Sequence, residues 1–411
     1  MTAFQPLQLP NGIHIPNRIA KASMEETLAA ADQGPSEQLL RLYQAWAEGG
    51  AGLLLTGNVM IDRRAMTGPG GVVLEDDSQL QRFRDWAHIG RSKGAQFWMQ
   101  LNHPGRQMQA NLGQPTVAPS AVPLELGGLS KLFPMPRALS EAEIGELIQR
   151  FVRSAELAEQ AGFTGVQIHA AHGYLLSQFL SPLTNRRADA WGGPLENRAR
   201  LLLEVVKAVR ARVSPGFCVA VKLNSADFQR GGFDANGARQ VVQWLNELAV
   251  DLVELSGGSY EAPAMQGDAR DGRTLAREAY FLEFAAEIAE VAHMPLMVTG
   301  GVRRLAVAER VLASGVAMVG IATALALAPD LPARWRAGEH EASAELAPIR
   351  WKNKALASLA YMSSVKFQLR RLAGGRRPQP EVWPWRALFA DQLKTMRRIR
   401  QYKRRMAGLA L

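Results

Sequence analysis

Eight short apolar runs, separated by segments of helical periodicity, constrain the fold of this chain of 411 residues more than any other feature. The clearest helical segments are Ser36–Ala47, Ser140–Ala161 and Leu195–Val213, in which apolar residues recur at three- and four-residue spacing. Ser140 followed by Glu143 matches the start of a capping box. This alternation predicts an α/β fold, a (β/α)8 TIM barrel of parallel strands. The predicted strands are Arg18–Ala22, Gly52–Thr56, Gln96–Leu101, Gly165–His169, Cys218–Lys222, Leu252–Leu255, Leu296–Thr299 and Met318–Ile321.

A doubly wound sheet is the structural alternative, but it requires a Gly-x-Gly-x-x-Gly turn after the first strand, and none occurs there. The Asn-Gly turn within Leu7–Ile15 predicts a β-hairpin that closes the bottom of the barrel. The segment Asn102–Arg137 is too long for a tight connection, so we expect an excursion over the active face. We expect residues 1–340 to form the barrel and residues 341–411 a basic helical C-terminal extension.

The basic charge of the chain lies in this extension. Residues 351–411 carry 15 Lys and Arg against two acids, a net charge of +13. Because the whole chain has a formal net charge of +10, the remaining 350 residues have a net charge of −3. One hypothesis is a binding protein whose tail contacts anionic membranes or nucleic acid. We favour a solvated helical face or an oligomer contact through Trp383, Trp385 and Tyr402, because no RNA-binding aromatic motif is visible. We therefore expect a homo-oligomer and no nucleic-acid partner.

The location of the protein is predicted from its N-terminus, which lacks a basic segment followed by an apolar stretch. We expect no signal peptide and a cytoplasmic protein. The uncharged run Val311–Pro329 is long enough for a membrane helix, but Gly315 and Gly320 favour helix end, turn, strand and loop, so we expect no membrane span. The only cysteine, Cys218, excludes intrachain disulfides and iron–sulfur clusters.

Three functional side chains follow one another at the end of the fourth predicted strand. His169 ends the strand, and His172 and Tyr174 come just beyond it, where active sites of such barrels lie. Two neutral donors beside a phenolic acid suit a substrate whose carbonyl oxygen is polarised while a proton is delivered nearby. A metal would need further ligands, and no other histidine lies in a cluster with ligand spacing, so we predict no metal.

Glycines mark the ends of the last two predicted strands. Gly300 and Gly301 follow strand seven, and Gly320 lies in strand eight. Glycines there let backbone N–H groups approach a phosphate, so this pair of turns predicts a phosphate site.

Several of these segments resemble the Old Yellow Enzyme family of FMN-dependent oxidoreductases. Val166–Asn185 and its continuation Asn185–Arg198 carry the resemblance most specifically, and Met294–Thr323 supports it. The resemblance spans roughly residues 4–335. It implies FMN as cofactor, NAD(P)H as reductant and an activated alkene such as an α,β-unsaturated carbonyl (enone) as substrate. It implies that His169 and His172 hold the carbonyl oxygen and that Tyr174 gives the proton.

The resemblance also implies where FMN binds. Gln100, whose amide both donates and accepts, would match the flavin pyrimidine edge. Lys222 would face the N1–C2=O edge, where the family usually has arginine. Gly301 and Gly320 would lie at the phosphate, and Gly57, after the second strand, near the dimethylbenzene or ribityl side. The implied set is Ala22, Met24, Glu25, Gly57, Gln100, Lys222, Gly300, Gly301, Arg303, Gly320, Ile321 and Thr323.

Besides Lys222, the chain departs from the family pattern at two further positions. Thr323 stands where an arginine is usual, and Arg303 would compensate. Glu25 stands where the family commonly places Thr or Cys, and either lies at the flavin or pairs with Lys21 or Arg106. A third function, an FMN dehydrogenase of the dihydroorotate kind, ranks lower because it needs a Cys or Ser base on a loop.

Overall fold

The computed structural model describes residues 2–263 and 282–409 and shows the predicted TIM barrel. The described strands are β1 (Leu7–Gln8), β2 (His14–Ile15), β3 (Ile19–Lys21), β4 (Leu53–Met60), β5 (Val72–Val73), β6 (Gln96–Asn102), β7 (Val117–Ala118), β8 (Arg137–Ala138), β9 (Gly165–Ala170), β10 (Cys218–Asn224), β11 (Leu252–Ser256), β12 (Leu296–Thr299) and β13 (Met318–Ile321). Eight parallel strands are hydrogen-bonded in the order β3-β13-β12-β11-β10-β9-β6-β4, and β3 pairs with β4 to close the ring. All eight predicted strands are confirmed.

The helices surround the strands and bury a large apolar layer between the two. The predicted capping box is present, with Ser140 and Glu143 bonded reciprocally at the start of the helix Glu141–Gln160. Tyr43, Trp86 and Phe97 form an edge-packed aromatic cluster in this layer, with ring centroids 5.1–5.8 Å apart. The described helices are α1 (Glu37–Glu48), α2 (Leu80–Arg91), α3 (Glu141–Gln160), α4 (Leu175–Leu180), α5 (Leu195–Arg210), α6 (Ala235–Leu245), α7 (Leu282–Ala289), α8 (Leu305–Ala313), α9 (Thr323–Leu327), α10 (Leu331–Arg336), α11 (Lys354–Ala373) and α12 (Pro384–Leu409).

The N-terminal hairpin closes the bottom of the barrel, as predicted. β1 and β2 pair antiparallel through Leu7 and Ile15, and Gly12 takes the positive φ of +85° that the turn requires. Apolar residues of the hairpin pack against inward side chains of the strands, including Trp98 and Cys218. The open C-terminal ends of the strands are therefore left for chemistry.

The long segment after β6 is an excursion, as predicted. It contains two short 3-10 helices, Ala110–Leu112 and Gly127–Leu132, and β7, which pairs with β8. Its residues reach over the C-terminal ends of the strands, because Phe133 lies edge-on to Tyr260 on the loop after β11, with ring centroids 6.3 Å apart.

The C-terminal extension is helical, and it packs on the barrel of its own chain. α11 lies against α1, and α12 packs along α11, where Arg370 and Asp391 form a buried ion pair. The far end of α12 reaches the loops after β4 and β6. Tyr402 is 4% exposed among Met60, Met66 and Met108, so its expected role in an oligomer contact was wrong. No helix within residues 2–263 and 282–409 is long and apolar enough to cross a membrane.

Candidate active site

The structure brings the three predicted side chains at the end of β9 together. The His169 ring lies edge-on to both His172 and Tyr174, with ring centroids 5.0 and 4.9 Å apart. His172 has a φ of +61°, the left-handed conformation that favours glycine. Its N–H donates to Asn224 Oδ1 at 3.0 Å, and its carbonyl accepts from Gln107 Nε2 at 3.0 Å. These two amides hold the strained residue in place.

Hydrogen bonds and burial set the protonation of the two histidines. The Ala171 N–H donates to His169 Nδ1 at 3.2 Å, so the proton of neutral His169 is on Nε2, free to be donated. His172 Nε2 lies 2.7 Å from Ser256 Oγ. Burial lowers the pKa of both imidazoles well below the usual range, and the nearby Lys222 cation lowers each further. Both imidazoles are therefore neutral at physiological pH.

Tyr174 is buried as a neutral phenol. Its hydroxyl lies 3.2 Å from the Tyr260 hydroxyl and accepts from Asn58 Nδ2 at 3.5 Å. Burial raises the Tyr174 pKa well above its usual range, and Tyr260 and Glu25 raise it further. The proton therefore stays on oxygen until a base develops on a bound molecule. Sequence reasoning missed Tyr260, which lies on the irregular loop after β11.

A row of polar side chains crosses the top of the barrel. Ser23 donates to Gln100 at 2.8 Å, and Gln100 donates to Gln167 at 2.7 Å. Glu254 then accepts from Gln167 at 2.7 Å and from Lys222 at 2.8 Å. Gln100 and Lys222 were predicted, whereas Gln167 and Glu254 were missed. The sequence signal for the two missed residues was a polar side chain at an inward position of an apolar strand. The strand register then pairs Lys222 directly with Glu254.

Glu25 lies beside the tyrosines. Thr67 Oγ1 donates to its carboxylate at 2.6 Å, and its charge raises the pKa of Tyr174 and of Tyr260. The alternative pairing of Glu25 with Lys21 or Arg106 was wrong. Those two cations pair with other carboxylates, Lys21 with Glu26 at 3.7 Å and Arg106 with Glu261.

Gly57 lies within β4, where the register shifts between Leu55 and Asn58, and not after the strand as predicted. A Cβ there would overlap the Glu26 carboxylate and the Met24 carbonyl. The Gly57 N–H donates to Glu26 Oε1 at 3.0 Å. Close passage of the loop after β3 therefore requires this glycine.

The glycines after β12 and in β13, here called the glycine corner, adjoin Thr299. Gly300 and Gly301 have φ angles of +155° and +71°, and a Cβ on Gly320 would overlap the Thr299 side chain. Thr299 Oγ1 is buried without a hydrogen-bond partner among the described residues. Thr323 begins α9, and Arg303 Nη1 lies 2.7 Å from Glu345.

Comparison with known proteins identifies the family. The sequence profile of the NADH:flavin oxidoreductase / NADH oxidase family matches residues 2–341. The chain belongs to this family. It is thus an FMN-dependent oxidoreductase of the Old Yellow Enzyme type, with NAD(P)H as the reductant and a small-molecule substrate.

Family members and solved structures agree with this assignment. The NADH-dependent flavin oxidoreductase iliE of Hypocrea jecorina is 38% identical over 80% of this chain and 88% of its own length. The iliE protein of Neonectria sp. is 39% identical, but the chain spans only 46% of it. The old yellow enzyme homologue from Zymomonas mobilis superimposes with a TM-score of 0.71 at 27% identity, over 84% of this chain and 94% of its own.

The residues present fit the FMN of this family. Thr299 Oγ1, which is buried without a partner among the described residues, offers a polar group at the glycine corner, where Gly320 leaves room for the Thr299 side chain. Asn58 Oδ1 is likewise buried without a partner in the described part of the chain. Gln100 and Lys222 provide amide and cationic groups between these two points. Within the described ranges, no cluster of His, Cys, Asp and Glu could hold a metal.

Proposed function

We propose that the protein reduces the C=C bond of an activated alkene, with an α,β-unsaturated carbonyl as the substrate class. The observation that carries the proposal is the neutral trio at the end of β9. His169 has its proton on Nε2, and Tyr174 is a buried, protonated phenol 4.9 Å from His169 between ring centroids. The trio thus offers hydrogen bonds to an oxygen and a proton to a neighbouring carbon.

Each residue of the trio has a separate role. Bound FMN would supply hydride chemistry, carrying reducing equivalents from NAD(P)H to the β-carbon of the alkene. His169 and His172 donate hydrogen bonds to the carbonyl oxygen, where negative charge develops. Tyr174 gives its proton to the α-carbon. Because both imidazoles are neutral, they stabilise that charge without protonating the oxygen.

The cofactor-binding set is also a proposal. The glycine corner takes the phosphate, Gln100 takes the pyrimidine edge, and Lys222 faces the edge where charge appears on reduction. The proposed FMN-binding residues are Ala22, Met24, Glu25, Gly57, Gln100, Lys222, Gly300, Gly301, Arg303, Gly320, Ile321 and Thr323.

Two other functions have less support. A dihydroorotate-type dehydrogenase would need a Cys or Ser base on a loop. Cys218 does not provide one, because it is buried at the hairpin end of the barrel, accepts from Asn11, and burial raises its pKa to about 12. A binding protein acting through its tail would need that tail free, whereas α12 packs on the loops after β4 and β6. A cytoplasmic location, a homo-oligomer and domains at 1–340 and 341–411 complete the proposal.

The test separates the two half-reactions. The double variant His169→Ala with His172→Ala should keep reduction of FMN by NADH and lose alkene reduction. Removing each donor to a developing oxyanion costs about 10²–10³-fold. Binding of a phenol should weaken in parallel, because a phenolate oxygen uses the same donors. Wild-type phenol affinity in this variant would refute the assignment.

A further inference from the structure

We propose that Tyr260 positions the hydroxyl of Tyr174 and returns a proton to it from the solvent side. The inference rests on the proposed function, in which Tyr174 is the acid. The two phenol oxygens lie 3.2 Å apart, within hydrogen-bond distance. Tyr260 is a positioning and relay residue, because it acts through Tyr174.

The two tyrosines differ in their access to water. Tyr174 is 6% exposed, whereas Tyr260 keeps an intermediate exposure on the loop after β11. A phenolate left on Tyr174 has little direct contact with solvent, whereas Tyr260 is partly exposed and can pass a proton to it. Burial and the Glu25 carboxylate raise the pKa of Tyr260 above its usual range, and both also raise that of Tyr174. Both phenols are therefore protonated, and the 3.2 Å between their oxygens allows a proton to pass from one to the other.

The loop that carries Tyr260 is tied to the excursion after β6. The Tyr260 N–H donates to Gln107 Oε1 at 3.3 Å, and the same Gln107 donates to the His172 carbonyl. The neighbouring Glu261 pairs with the buried Arg106 and accepts from the Glu125 N–H at 2.8 Å. The Tyr260 hydroxyl is therefore held against the trio by contacts on both sides.

The proton balance closes with water as the final donor. The O–H bond of Tyr174 breaks while a C–H bond forms at the α-carbon, which leaves a phenolate. The O–H bond of Tyr260 then breaks, and its proton moves to the Tyr174 oxygen. Water finally protonates Tyr260, and the resulting hydroxide is neutralised by buffer.

The experiment uses the FMN-loaded full chain and the variants Tyr260→Phe, Tyr174→Phe and their combination. Phenylalanine keeps the ring contacts at both positions. Tyr260→Phe should slow reoxidation by cyclohexenone about five- to tenfold, as expected for one hydrogen bond. FMN reduction by NADH, phenol affinity and melting temperature should stay at wild-type values. Steady-state turnover should fall more steeply above neutral pH than in wild type, because reprotonation of Tyr174 is lost.

The double variant decides whether Tyr260 acts through Tyr174. It should be no slower than Tyr174→Phe alone, because Tyr260 acts only through the Tyr174 hydroxyl, which both variants lack. Multiplying effects would overturn the inference, as would a wild-type rate and pH profile in Tyr260→Phe while Tyr174→Phe is slow. If Tyr174→Phe itself reacts at the wild-type rate, the proposed acid is wrong and the relay falls with it.

Discussion

Replacing Glu254 with glutamine should destabilise the protein strongly, because it removes one partner of a buried ion pair. Glu254 is fully buried, Lys222 is 3% exposed, and their charged atoms lie 2.8 Å apart. Leaving such a cation uncompensated costs about 3–5 kcal/mol. For a chain of 411 residues this corresponds to a decrease in melting temperature of about 3–6 °C. Thermal unfolding of the FMN-free variant and wild type at neutral pH measures this difference in melting temperature.

The chain offers a matched control for that experiment. Glu37 pairs with Arg41 at 3.6 Å, but its side chain is 91% exposed, so Glu37→Gln should not change the melting temperature measurably. The double variant Glu254→Gln with Lys222→Met should recover part of the lost stability. In the FMN-bound protein, Glu254→Gln should also raise the flavin midpoint potential, because an unneutralised cation stabilises the reduced cofactor. A Glu254→Gln protein with the same melting temperature as wild type would refute this reasoning.

Three further predictions follow from burial and crowding. Gly320→Val should abolish the yellow colour of the purified protein, because its side chain would overlap Thr299 at the proposed phosphate corner; full FMN content would argue against that corner. Burial lowers the pKa of His103 to about 4, so the unfolded state binds more protons below its ordinary value of about 6.5, and stability is lost as pH falls. The unfolding free energy of His103→Gln should therefore decrease by roughly 3 kcal/mol less than that of wild type as pH falls from about 6.5 to 4. An unchanged pH dependence would contradict this. Cys218 should resist a thiol reagent in the native protein and react once it unfolds, since burial raises its pKa to about 12; rapid native labelling would contradict its placement.

The barrel could be predicted because its signals are local. Apolar runs, helical spacing, the Asn-Gly turn and the capping box each depend on neighbouring residues, and the structure agrees with all of them. β4 was predicted to end at Thr56 but continues to Met60, because Gly57 sits in an irregular part of the strand and interrupts the apolar pattern. An interruption of that kind looks like a strand end in the sequence.

The rest of the site depends on contacts between distant segments. Tyr260 meets Tyr174 across 86 residues, and the segment that carries it has no periodicity. The partners of Lys21 and Arg106 were mistaken for the same reason, since each cation has several acids nearby in sequence or across the barrel. The surface covered by α12 was equally invisible, because a basic helix with scattered apolar residues does not specify which loops it packs against.

Anaerobic stopped-flow spectroscopy tests the central claim most directly. The FMN of the wild-type protein, reduced with NADH, should be reoxidised by cyclohexenone with formation of cyclohexanone, and Tyr174→Phe should slow that step by about 10²–10⁴-fold while leaving reduction by NADH unchanged. Reduced FMN that persists in the presence of cyclohexenone, nitroalkenes and imides alike would contradict the proposed alkene reduction.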